Sequence, residues 1–179
     1  MRGLKEFPRP DDYGLVTRPD FDEIEQEFGP MIRRIAVAHE ANRALAEELV
    51  QDIWLELWRA LPGFRGASSL KTFVARIASY RAISHVRRSA RAPRRAELSD
   101  TIPASDPSPE HHTIHQDQQA KLIAAVRALS LPLRQVALLT LEGLAPQEIA
   151  SVLGITANAV AIRLSRAKQI LRNTMGDAQ

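Results

Sequence analysis

Ten cations and no carboxylate lie between Arg59 and Arg95: Arg59, Arg65, Lys71, Arg76, Arg81, Arg87, Arg88, Arg91, Arg94 and Arg95. Guanidinium and ammonium groups at that density suit the neutralisation of phosphates along a nucleic-acid strand. The plain alternative is a solvated helix face. The stretch before it, residues 21–58, has the opposite sign, because Asp22, Glu23, Glu25, Glu27, Glu40, Glu47, Glu48, Asp52 and Glu56 outweigh Arg33, Arg34 and Arg43. A second constellation lies at residues 146–172, PQEIASVLGITANAVAIRLSRAKQILR. There Thr156, Asn158, Ala161, Ile162 and Ser165 stand beside Arg163, Arg166 and Lys168. Small, polar and apolar side chains flanked by cations match base-edge contacts bracketed by phosphate contacts. An ordinary helical hairpin with a polar face is the alternative.

Catalytic chemistry has less to work with. Cys is absent, so there is no thiol nucleophile, disulfide or thiolate metal site. No Gly-rich phosphate loop or nucleophile elbow occurs. His111, His112, His115 and Asp117 are metal-ligating types, but they sit in or beside a Pro-rich stretch without a second ligand cluster. His39 and His85 are isolated. No enzyme activity, metal or cofactor is expected.

The elements that position these residues read as helices throughout, and the predicted fold class is all-α. Residues 1–19 form a flexible tail. Asp20 and Glu23 make a D-x-x-E capping box before a helix that buries Phe28, Ile32, Ile35 and Val37, with Gly29-Pro30 expected to kink or break it. A second helix, about 44–60, places Leu45, Leu49, Ile53, Trp54, Leu57 and Leu61 inside. Ser68 or Ser69 caps a third, about 70–89, with Phe73, Val74 and Ile77 inward. Residues 96–113 are rich in Ser, Asp and Pro and read as a flexible linker. Helices follow over about 114–129 and 131–141. Then come Pro146 at a first helical turn, Gly154 at a helix end and Thr156 as the next cap. Val160, Leu164, Ala167 and Leu171 stripe that last helix, which completes a helix-turn-helix. The expected organisation is two small domains, 20–95 and 114–179, joined by the linker.

The chain has 179 residues, a net charge of +3 and 45% hydrophobic residues. No apolar run is long enough for a membrane span and the N-terminus does not read as a signal peptide. Cytoplasmic localisation without membrane insertion is expected.

Three stretches in this order resemble the extracytoplasmic-function (ECF) sigma factors: AEELVQDIWLELWRAL at 46–61, FRGASSLKTFVARIASYRAISHVRR at 64–88, and LPLRQVALLTLEGLAPQEIASVLGITANAVAIRLSRAKQILR at 131–172. The resemblance implies an alternative sigma factor that binds core RNA polymerase (β′ and β subunits), directs promoter-specific initiation and answers to an anti-sigma factor. It implies nucleoid association within the holoenzyme. Glu48, Leu49, Gln51 and Asp52 match the patch that grips the β′ coiled coil, with Trp54 or Trp58 as aromatic anchors. Arg65, Ser68, Ser69, Lys71, Arg76, Tyr80, Ser84, Arg87 and Arg88 match positions along the minus-ten DNA. Phe64, Phe73 and Tyr80 are candidate base-stacking platforms. Thr156, Asn158, Ala161, Ile162, Arg163, Ser165, Arg166 and Lys168 match the minus-thirty-five reader. The family usually has Asn and Asp where this chain has Tyr80 and Ser84, and a basic residue and Ser where it has Ala161 and Ile162. Two other readings remain open: a sigma-like decoy that binds an anti-sigma factor without reading DNA, and a metal-responsive helix-turn-helix regulator using the His cluster.

Overall fold

A computed structural model describes residues 21–91 and 114–176, with side chains over 21–91 and 121–174. Seven α-helices account for most of them: α1 (Phe21–His39), α2 (Arg43–Ala60), α3 (Leu70–Arg91), α4 (Ile114–Ala128), α5 (Leu131–Leu141), α6 (Pro146–Leu153) and α7 (Ala157–Gly176). A 3-10 turn, Leu61–Gly63, closes α2. No strand occurs among the described residues. Local chemistry sets several boundaries. Asn42 caps α2 by accepting from the Leu45 N–H at 3.2 Å. Ser69 caps α3 by accepting from the Thr72 N–H at 3.1 Å. Both hydroxyl and amide caps satisfy N–H groups that the first turn leaves without helical partners.

Of the two outcomes expected at Gly29-Pro30, the break does not occur; α1 continues through Pro30. The missing N–H and ring crowding cost about 3 kcal/mol in a helix interior. Burial offsets that cost, because Ile24 and Phe28 on one side of Pro30, and Met31, Ile32 and Ile35 on the other, enter one core. Gly29 is itself buried where a Cβ would meet Trp54 at 3.8 Å. Val37 is half-buried rather than buried, and its carbonyl accepts from Arg127. Asp20 of the expected capping box, the tail and the linker lie outside the described residues.

The two halves pack against each other. Core residues of α1–α3 (Ile32, Ile35, Ile53, Val74) belong to one continuous apolar cluster with Val126, Val136, Leu139, Ile149 and Val160 of α4–α7. Arg34 of α1 makes a two-pronged ion pair with Glu142 after α5, with both Nε and Nη2 2.6 Å from its carboxylate oxygens. The Glu142 side chain is only 5% exposed. Its carboxylate, as hydrogen-bond partner first, raises the Arg34 pKa above the ordinary value. Arg127 of α4 adds an Nε hydrogen bond to the Val37 carbonyl at 3.1 Å.

His39 closes α1 beside this seam. Its Nδ1 lies 2.8 Å from the Ile35 carbonyl, while Nε2 is buried without a partner. Burial first, then the charges of Arg134 and His85, hold its pKa below 6.5, and the Ile35 hydrogen bond only partly opposes them. The unfolded chain therefore binds this proton more readily, so stability falls as pH drops below about 6.5. Urea midpoints measured between pH 7.5 and 5.5 are expected to decline, and His39→Gln to flatten the decline. An unchanged slope in that variant would remove His39 as the cause.

Candidate nucleic-acid interface and partner surface

The acidic and basic segments form adjacent helices that partly neutralise one another. Arg81 of α3 donates to Asp52 of α2 at 2.8 Å, and Arg88 stands 3.8 Å from the same carboxylate. His85 pairs with Glu40 at 2.8 Å. Burial pulls the Glu40 pKa up, but hydrogen bonds from His85 and from the Asn42 and Ala41 backbone outweigh it and leave it lowered.

On α2, Glu48 and Gln51 are exposed and Asp52 is half-exposed. Leu49 is 1% exposed and packs in the core with Ile53 and Leu57, so it cannot belong to a contact surface. The helical period explains the correction, because residues 46, 49, 53 and 57 share the inward stripe. The outward stripe instead continues through Leu55 and Trp58, which are 47% and 64% exposed. Leu55 was missed in the sequence; its spacing from Gln51 and Trp58 places it on this stripe. Trp54 is half-buried and meets Phe21 edge-on at 5.5 Å. The stripe therefore has an acidic-amide end and an apolar end with one open indole, a composition suited to a protein partner.

α3 carries the cations. Arg76, Tyr80, Arg87, Arg88 and Arg91 are exposed, with Tyr80 at 67%, and Lys71 and Ser84 are half-exposed. Ser84, Arg87, Arg88 and Arg91 line one shallow groove. The loop before α3 turns at Gly66, whose φ of +70° suits Gly, and it presents Arg65 and Ser69 to solvent with Ser68 half-buried. Phe64 and Phe73 meet at a tilt of 48° with ring centroids 4.9 Å apart and are half-buried, which leaves Tyr80 as the open face of the three candidate platforms.

α6 and α7 meet at 103°, within the range of a DNA-binding helix-turn-helix. Gly154 takes φ +64° at the turn, and Thr156 accepts from the Ala159 N–H at 3.1 Å. Val160 and Ala167 are buried. Asn158, Ala161, Ile162, Ser165, Arg166 and Lys168 face outward with Thr156, and Arg163 is half-buried. Ile162 is 47% exposed and Ile170, further along the same helix, 44%. His111 and His112 lie outside the described residues, and His115 and Asp117 fall on α4. No single helix among the described residues is long and apolar enough to cross a membrane.

Two family profiles match in chain order, Sigma-70 region 2 over residues 26–92 and Sigma-70, region 4 over residues 119–171. The first covers the acidic and basic helices and the second covers the helix-turn-helix. The chain belongs to the ECF sigma factors. This sigma factor is 31% identical to the ECF RNA polymerase sigma factor SigE of Mycolicibacterium smegmatis over 163 residues, 88% of this chain and 62% of that one. It is 28% identical to the probable RNA polymerase sigma factor RfaY of Xanthomonas campestris pv. campestris, over 80% of this chain and 37% of that one. The chain thus spans less than two thirds of either relative. Its fold is similar to the sigma factor RpoE of Bartonella quintana, solved in complex with the anti-sigma factor NepR. The TM-score is 0.66 at 24% identity, covering 87% of this chain and 98% of that one.

Proposed function

We propose that this sigma factor is a non-catalytic specificity subunit of RNA polymerase. The α2 stripe Glu48–Gln51–Asp52–Leu55–Trp58 docks on core polymerase. The α3 face and its preceding loop hold minus-ten DNA, and α7 reads the minus-thirty-five element. The observation that carries this reading is the pairing, on one three-helix unit, of an aromatic-anchored stripe on α2 with an adjoining, only partly neutralised cationic face on α3. The first has the composition of a protein interface and the second that of a phosphate interface. Work in the cytoplasm, at the nucleoid when in holoenzyme, follows from those partners. An anti-sigma factor is the proposed regulator, since a structurally similar sigma factor is solved with one.

The recognition helix gives the experiment. Ile162 offers no hydrogen bond but can pack on a thymine methyl, and exposed Ala161 beside it permits close approach. Arg166, exposed further along the same helix, is assigned to phosphate positioning. In a selection on randomised promoters with reconstituted holoenzyme, Ile162→Ser is expected to change the preferred base at one position, by about 1–2 kcal/mol. Arg166→Ala is expected to weaken all sequences alike and to lower the salt slope by about one unit. A wild-type holoenzyme that selects no motif would favour the decoy reading instead.

A further inference from the structure

A cavity of about 210 Å³ lies between α1, α4 and α5, away from the faces assigned to polymerase and DNA. Ala38, Val126 and Leu138 form its floor, at 1%, 2% and 6% exposed. Half-buried Leu122 and Ile123 form its wall. Residues 122, 123 and 126 share one side of α4, so three apolar side chains of that helix meet the space together. Leu141, a leucine 55% exposed, and the Arg34–Glu142 pair mark its mouth. A lining of this kind gives water too few polar partners, and an apolar cavity of about 150 Å³ stays dry and takes benzene. The space here is larger. Side chains around an unfilled void lose their contacts on that side, and an apolar guest restores them.

The polar chemistry at the mouth selects the head group of such a guest. Glu142 takes up the Nε and Nη2 edge of Arg34 at 2.6 Å. Among the described residues nothing accepts from Nη1, and the Arg34 side chain is 42% exposed. That free edge donates and cannot accept. The ion pair is already neutral, and the Glu142 side chain is only 5% exposed. A carboxylate head would stand close to a second, buried carboxylate, and an ammonium head would face a donor. An uncharged acceptor meets neither cost. We infer that this cavity binds a small neutral molecule with an alkyl or aryl body and a carbonyl head, of the ketone, ester or amide class. The body fills the space under Leu122 and Leu141, and the carbonyl oxygen accepts from Arg34. Such a ligand touches α1 on one side and α4 and α5 on the other, so its binding is linked to the packing of these helices. The inference is independent of the promoter reading, because it concerns the chain without polymerase or DNA.

The test uses full-length chain with isotope-labelled Ile, Leu and Val methyls, titrated with methyl hexyl ketone. Saturable shifts are expected at Leu122, Leu138 and Leu141, with a Kd of about 0.1 mM for a ligand of this size. The thermal midpoint should rise with ketone concentration. Hexylammonium and heptanoate carry the same hexyl chain with charged heads, and each should bind about tenfold more weakly or worse. Ala38→Leu and Leu122→Trp fill the cavity from two different walls. Each is expected to keep or raise the thermal midpoint of the free chain and to weaken ketone binding by about tenfold or more. Should Ala38→Leu fail to fold, Leu122→Trp, at a half-buried position, decides alone. Undiminished affinity in a folded variant would overturn the inference. So would shifts spread over methyls outside α1, α4 and α5, charged heads bound as tightly as the ketone, or no saturation by about 1 mM.

Discussion

Replacing Gln51 and Asp52 with Lys is expected to weaken assembly with core polymerase by about 30- to 1,000-fold, or about 2–4 kcal/mol. Like charges placed against a surface that accepts an acidic-amide patch cost several kcal/mol, and the partner's cations then lose their counter-charges. The two positions differ in what else they touch. Gln51 is exposed, so Gln51→Lys changes the surface alone. Asp52 accepts from Arg81 at 2.8 Å and stands 3.8 Å from Arg88, so Asp52→Lys sets three cations together and loosens the packing of α2 on α3. Gln51→Lys with Trp58→Ala is therefore the cleaner pair, since Trp58 is 64% exposed. Helicity should be unchanged in that pair while a polymerase pull-down loses most of the chain. Retention of wild-type affinity would count against α2 as the docking helix.

Ile35→Ala should be the most destabilising single change considered, at about 3 kcal/mol within a range of 2–5 for large-to-Ala truncation in a core. Ile35 has no exposure and lies in the cluster that both halves share. A domain typically has only about 5–15 kcal/mol in hand. With a urea slope of about 1–3 kcal/mol per molar, the midpoint should fall by about 1–3 M. A shift below about 0.5 M would mean that the shared core is not the main source of stability.

The most legible features in the sequence were those with a local physical signal. Pro146, Gly154 and Thr156 marked the helix-turn-helix because each meets a backbone need that few residues meet. Ser69 was recognisable as a cap for the same reason. At Gly29-Pro30 the local breaker signal did not end the helix, because residues on both sides of it are buried in one core. Leu49 misled differently. A match to a family patch names a stretch, and only the helical phase tells which of its side chains face out. The seam between the halves left no trace in the sequence at all. Arg34 and Glu142 are 108 residues apart, and each alone reads as an ordinary surface charge. Thr72 and Glu148 likewise had obvious local roles, a first-turn residue and a helix-start acid, and their meeting at 2.8 Å is a product of the tertiary fold.

Whether this chain directs core polymerase to promoters is decided by reconstituted transcription. Core RNA polymerase, purified full-length chain and a library of genomic fragments are incubated, and transcript starts are mapped. The expected result is a set of discrete starts that depend on added chain, share minus-ten and minus-thirty-five elements, and vanish with Gln51→Lys plus Trp58→Ala. Capture of an anti-sigma factor with no chain-dependent transcript, or DNA binding that needs a metal and no polymerase, would contradict it.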